Sequence, residues 1–298
     1  MMEIKSPGSK TIYIKDKWEE LTPKEYLFVV KLLAFASMGK FDIDEFQEMY
    51  LMFIAGYKPS RLRSPEVREE INSNIYMLSQ QIDFFFRKNE KGRTEFNINF
   101  TKNLLPEFRF NHKKYTGPEF YLSDLGDVRT NLKAKPFIDA QEYYNLYLQT
   151  QNTEALNMLV AVLYGNYKNG YTTFEAQKQG EKLVKLDFNI KYGVYTFFRA
   201  LLHLITTRTH LGILFRKHKK DNSSDDKISL GLSETVYSLI KSGYGSEKEI
   251  GNMLFTKYLE ALLKELKDSI QNAIAAGKKP FDIAKDRGIP FEIINQLS

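Results

Sequence analysis

The chain has no cysteine, one tryptophan (Trp18) and four histidines in 298 residues. Without thiols it can hold no disulfide, no thiolate-bound metal and no cysteine nucleophile. A chain of this length buries enough surface to need no such staple, and the composition fits a reducing, cytoplasmic setting. Long apolar runs are missing as well. The longest, from Tyr26 to Met38, is interrupted by Lys31 and falls short of the roughly 20 residues a spanning helix needs. The first ten residues are polar, so no secretory leader and no membrane partner are expected. Catalytic signatures are absent too. There is no Gly-Lys-Ser/Thr phosphate loop and no Gly-x-Ser-x-Gly elbow, and Gly243-Tyr-Gly245 has only the look of a tight turn. Carboxylates are plentiful, yet none stands in an apolar run that would tune it for acid–base work. The expectation is a protein that is not an enzyme and uses no cofactor.

What is present is ring-bearing bulk: 22 Phe and 18 Tyr, enough for cores and interfaces with few aliphatic residues. The net charge of +6 is small for this length and does not by itself point to nucleic acid.

Helix starts are legible. Thr22-Pro23-Lys24-Glu25 places a capping hydroxyl, a proline at the first helical position and a glutamate reaching back. Asp42 with Glu45, Asp139 with Glu142 and Ser246 with Glu249 repeat that box, and Thr153 reads as a further N-cap. Ser64-Pro65 opens a helix whose apolar residues Val67, Ile71, Ile75, Leu78, Ile82 and Phe85 form one stripe, suited to a bundle contact. Thr11–Ile14 and the alternation Phe96, Ile98, Phe100 read as strands. Residues 101–138 read as a connector with short strands, Asn166–Tyr171 as a loop, and Leu183–Phe215 as a long helical stretch broken at Gly193 and Gly212. The helix capped at Ser246 runs to about Ala276. The fold class is therefore mainly α, a multi-helix bundle-like protein with a few short β-strands in the N-terminal half. Three segments are expected: 1–138, 139–278 and a small C-terminal helical hairpin at 279–298.

Two places could meet nucleic acid. Arg199, Arg208, Arg216, Lys217, Lys219 and Lys220 are interleaved with Tyr195, Phe197 and Phe198, the mixture of cations and rings that single strands use. The same region holds His203, His210 and His218, whose cationic neighbours repel a metal ion. At the C-terminus Ala284 precedes Gly288 by four, with Ile289, Ile294 and Leu297 behind, the spacing of a helix-turn-helix. Its second helix would present Phe291, Glu292, Asn295 and Gln296 without a cation, and no third helix follows, so a plain hairpin is the simpler reading.

Four ordered stretches carry a resemblance. They are Trp18-Glu-Glu-Leu-Thr-Pro-Lys-Glu25; Pro106-Glu-Phe-Arg-Phe110 with Tyr115-Thr-Gly-Pro118; Tyr143-Tyr-Asn-Leu-Tyr147 with Thr150 and Leu156–Tyr164; and Leu239–Gly245. Together they resemble a family of proteins encoded in the tail-gene region of phages and prophages of Bacteroidetes. The family's usual arginine after Leu-Tyr is Gly165 here. The resemblance implies a virion assembly or structural protein in the host cytoplasm or the virion. Its partners would be other phage structural proteins or further copies of itself, and no catalytic residue is implied. DNA binding through the C-terminal unit and the basic helix is the alternative.

Overall fold

The computed structural model describes residues 2–4, 12–58, 64–167, 170–215, 232–287 and 289–297. In chain order the first elements are β1 (Met2–Ile4), β2 (Ile12–Ile14), α1 (Pro23–Ser37), α2 (Ile43–Ala55), α3 (Pro65–Ser79), β3 (Phe86–Lys88) and β4 (Thr94–Phe96). Next come β5 (Glu107–Phe110), β6 (Lys113–Thr116), β7 (Phe120–Leu122), β8 (Val128–Thr130), α4 (Ala134–Thr150), α5 (Thr153–Tyr164) and α6 (Thr173–Lys182). The last are α7 (Phe188–Arg208), α8 (Leu232–Lys241), α9 (Glu247–Asn252), α10 (Phe255–Ala275), α11 (Pro280–Arg287) and α12 (Phe291–Leu297). The protein is mainly α. Among the described residues the strands pair only as four antiparallel hairpins, all in the N-terminal half.

The chain folds as two compact units, Met1–Pro106 with Leu186–Ala200, and Glu107–Lys185 with Leu201–Ser298. The first is built around aromatic rings. Thr22 and Glu25 exchange the two bonds of a capping box at the start of α1, and Asp42 and Glu45 do so for α2. Each such cap stabilises its helix by about 1 kcal/mol. α1 turns Tyr26, Val29, Val30 and Leu33 inward. Phe85 lies at the centre, with Trp18, Tyr50 and Phe46 at ring distances of 4.9, 5.0 and 5.4 Å. The Trp18 indole N–H donates to the Asn97 carbonyl at 2.7 Å, fixing its ring.

Three local expectations change in this unit. The stripe from Val67 outlasts its helix: α3 ends at Ser79, and Ile82 and Phe85 reach the core from the turn beyond it. The strand expected over Phe96 to Phe100 stops at Phe96, although Phe100 is still buried against Trp18 and Tyr26. Gly193 does not break α7. It lies inside that helix, where a Cβ would stand 3.4 Å from both Tyr26 and Leu27, and its carbonyl accepts the Tyr26 hydroxyl at 2.7 Å.

In the second unit β5 and β6 are joined through Asn111 and His112, both at positive φ (48° and 60°), the backbone of a tight two-residue hairpin. α4 starts at Ala134, so Asp139 is an interior residue and not a cap, and residue 138 falls inside the helix. The reason is tertiary. The Ala134 N–H donates to the Met253 carbonyl at 2.8 Å and the Phe255 N–H to the Leu132 carbonyl at 2.9 Å, which satisfies the helix start without a side chain. That bridge also splits the single helix expected after Ser246 into α9 and α10. α5 is capped by Asn152, one residue before Thr153, and α6 is an element outside the expected set.

α11 and α12 pack on α10 through Ile270, Ile283, Ala284, Ile293, Ile294 and Leu297. The supporting third helix therefore exists, but it precedes the pair in the chain. Ala284 is buried where the helices meet, while Gly288 lies outside the described residues.

Candidate functional site

The most concentrated buried chemistry surrounds Asp139, which is 2% exposed inside α4. One carboxylate oxygen, Oδ1, pairs with the Lys135 ammonium at 2.9 Å, one helical turn earlier. The other, Oδ2, accepts the Tyr171 hydroxyl at 2.5 Å and the Thr173 hydroxyl at 2.8 Å. Tyr167 stands edge-on to Tyr171 at 5.1 Å and donates to the Ala161 carbonyl at 2.5 Å. Burial, then the Asp139 charge, pushes the Tyr171 hydroxyl far above the usual tyrosine range. Burial also raises Tyr143, and it raises the Glu142 carboxyl, with Asp139 adding and Lys135 offsetting. A general base needs a lone pair turned toward a substrate. Asp139 instead has both oxygens engaged, Oδ1 by Lys135 of the same helix and Oδ2 by the two hydroxyls that tie α4 to the entry of α6, and Tyr171 stays protonated at neutral pH. Beside this cluster a cleft of about 240 Å³ is lined by Lys135, Ile138, Glu142, Val236, Tyr237 and Ile240.

Of the cations singled out for nucleic acid, the two described ones, Arg199 and Arg208, do not share a face. Arg199 and Arg208 are exposed on α7, but they are nine positions apart, which at roughly 100° per residue sets them half a turn out of phase. The interleaved rings Tyr195, Phe197 and Phe198 are buried, so no base could stack on them. Arg208 shares a hollow of about 360 Å³ with His210, Asp127 and Glu260, two acids that would repel phosphate. Arg216, Lys217, Lys219, Lys220 and His218 lie outside the described residues. A different basic cleft, of about 420 Å³, is formed by Lys113, Lys114, Tyr115, Asn166, Gln179 and Lys182, with Lys114 paired to Glu107. In the C-terminal unit Lys278 pairs with Asp286 at 3.3 Å and Arg287 donates to Ser269, while α12 exposes Phe291, Glu292, Asn295 and Gln296. Among the described residues no group of three or more His, Asp or Glu is arranged to hold a metal ion. No described helix is long and apolar enough to cross a membrane.

Two buried polar side chains of the first unit escape any sequence signal. Lys191 in α7 is 6% exposed, and burial lowers its pKa while Asp187, four residues earlier, offsets part of that. The Tyr50 hydroxyl is buried in the aromatic core with no hydrogen-bond partner among the described residues. An unsatisfied buried hydroxyl costs about 1–3 kcal/mol. Tyr50→Phe, which keeps the ring on Phe85, is therefore expected to raise stability by about 1 kcal/mol in denaturant melts. A loss would mean that the hydroxyl has a partner.

The exposed large side chains show another kind of site. α3 has fifteen residues, of which only Ser79 is buried. Val67, Tyr76 and Met77 are exposed, Met77 by 66%, and Ile71, Ile75 and Leu78 are only half covered. Met49 is exposed on α2, which packs beside it. Val67 belongs to the stripe, whereas Tyr76, nine positions on, lies half a turn away from it and Met77 to one side. Exposed methionine and tyrosine are favoured residues in contact sites.

Comparison with family models, curated proteins and solved structures finds no match for this chain. The four stretches that carry the resemblance can still be placed. They supply the buried Trp18 and Leu21 before α1, the β5–β6 hairpin, the core of α4 and α5, and the end of α8. Two of them meet: a Cβ on Gly117 would stand 2.4 Å from the Tyr164 ring, which itself packs on Phe108 at 5.4 Å. These are mostly packing residues, which maintain a fold.

Proposed function

We propose that the chain is a phage- or prophage-encoded virion assembly or structural protein of the tail region, non-catalytic, working through protein–protein contacts. The observation that carries this reading is α3, a full-length helix that leaves an apolar stripe half covered and three large side chains in solvent. The half-covered stripe of Val67, Ile71, Ile75 and Leu78 supplies anchors along one side of the helix, the pattern that a groove on a partner reads. The tail-region assignment rests on the four ordered stretches between Trp18 and Gly245. The non-catalytic reading is supported by Asp139, whose two oxygens are each engaged by neighbouring side chains. Other tail proteins encoded beside it, and further copies of this chain, are the proposed partners.

Pairwise co-expression with those tail proteins tests the reading. The variant Val67→Ser/Tyr76→Ser/Met77→Ser should melt within about 0.5 kcal/mol per site of the parent, because it changes surface positions. It should also lose the co-eluting partner. A triple variant that retains its partner at parental affinity removes α3 as the contact.

A further inference from the structure

The unpartnered helix face in the first unit is acid-rimmed, and the same unit carries its complement. α2 and its N-cap contribute Asp42, Asp44, Glu45 and Glu48 with no cation in the helix, and α3 adds Glu66, Glu69 and Glu70 against Arg68 alone. Exposed Met49 lies one turn after Glu45, within this rim. Crowding shows at Glu48, whose carboxyl is raised by burial first and then by Asp44, Asp42 and Glu45.

The β3–β4 hairpin is the opposite pole. Its turn is fixed by the Asn89 side-chain oxygen, which accepts the N–H groups of Lys91 and Arg93 at 3.0 Å each. Arg87 is engaged by Glu95 at 2.7 Å. Lys88, Lys91 and Arg93 form no ion pair with a described residue, and they line a recess of about 570 Å³ together with Arg87, Glu90 and Glu95. The two poles flank one aromatic group, since Phe46 of α2 touches Phe86 and Phe96 at the base of the hairpin at 5.6 and 5.1 Å. No ion pair between described residues joins them within one chain.

We infer that the α2–α3 face docks a second copy of this chain, whose basic β3–β4 tip it receives while returning the same contact. In a closed two-fold pair a patch and its counter-patch, both carried by the same unit, meet twice. A chain of net charge +6 repels its own copies at long range, so such a pair needs this local match. The inference rests on the reading of the chain as one that works by contact, and it names one partner.

Sedimentation equilibrium of the purified full chain, with no other protein present, tests it. At low ionic strength a dimer is expected, weakening by about tenfold or more as salt screens the exposed pairs. Either reversal set, K88E/K91E/R93E or D44K/E48K, should give a monomer with a parental circular-dichroism melt. Mixing the two variants should restore a dimer, because each then offers the charge that the other lacks. Salt dependence of the unmodified chain keeps the test open if a variant folds poorly. A monomer at low ionic strength, a dimer indifferent to salt and to both reversals, or a mixture that stays monomeric overturns the inference. None of those outcomes touches capture of tail proteins, which co-expression reads separately.

Discussion

Asp139→Ala is expected to destabilise the second unit by about 3 kcal/mol, because it strands two partly buried hydroxyls at about 1–3 kcal/mol each. Tyr171 and Thr173 both lose their acceptor, and Lys135 loses the partner that holds it against α4. Asp139→Asn keeps an acceptor oxygen and should cost about a third as much, so the pair of variants separates loss of the acceptor from loss of charge. Alkaline titration provides a second readout. Tyr171 has its folded pKa raised by burial first and then by the Asp139 charge, and Tyr258 is pushed up to about 12 by burial, eased by Thr235. For such groups the folded state binds the proton more tightly than the unfolded one. Their contribution is complete below about pH 10, and stability falls as pH rises beyond it. Tyr171→Phe should flatten that fall. An Asp139→Ala protein as stable as its parent would mean that the cluster is not a tie and could be reserved for chemistry.

Phe85→Ala should be the most damaging truncation in the first unit, at about 3–5 kcal/mol. Its ring is fully buried and touches Trp18, Phe46 and Tyr50 in edge-on geometry. The sole tryptophan makes the effect visible. Trp18 is in contact with Phe85, so its fluorescence reports this unit, while far-ultraviolet circular dichroism reports all the helices. The fluorescence transition should move to lower denaturant by more than the dichroism transition if the units melt separately. Coincident shifts of equal size would show one cooperative body. Phe85→Leu, which leaves a smaller void, should cost less than half as much.

Local signals and tertiary facts divide clearly along this chain. The caps at Thr22, Asp42 and Ser246 form as their spacing predicts, because a hydroxyl or carboxylate three residues before a glutamate satisfies two helix-start donors without outside help. Asp139 with Glu142 has the same spelling and a different fate, since the Met253 carbonyl already serves the helix start five residues earlier. Nothing near Asp139 in sequence announces that bond. α6 carries the same kind of cap, with Thr172 accepting from the Glu175 N–H, but its interior is polar and offers little apolar periodicity to detect. Gly193 looks like a breaker until Tyr26, 167 positions away, is seen to need its carbonyl. The segment Leu186–Ala200 likewise packs with the N-terminal unit although it follows α6 in the chain, a grouping set by long-range burial.

The candidate surface was half legible. The α3 stripe is plain in the sequence, and its period says which residues share a face. How much of that face α2 covers depends on packing, and the exposure of Val67 with the half-covered Ile71, Ile75 and Leu78 is what makes the stripe a candidate contact site. The basic α7 residues show the reverse. Their charges are legible, but the rings between them face the core.

Backbone hydrogen exchange on the chain alone and in complex with a co-expressed tail protein tests the contact reading most directly. Slowed exchange across residues 64–79 on binding, with residues 134–150 around Asp139 unchanged, is the predicted result. Protection confined to the Asp139 region, with α3 exchanging as fast in the complex as alone, would contradict it.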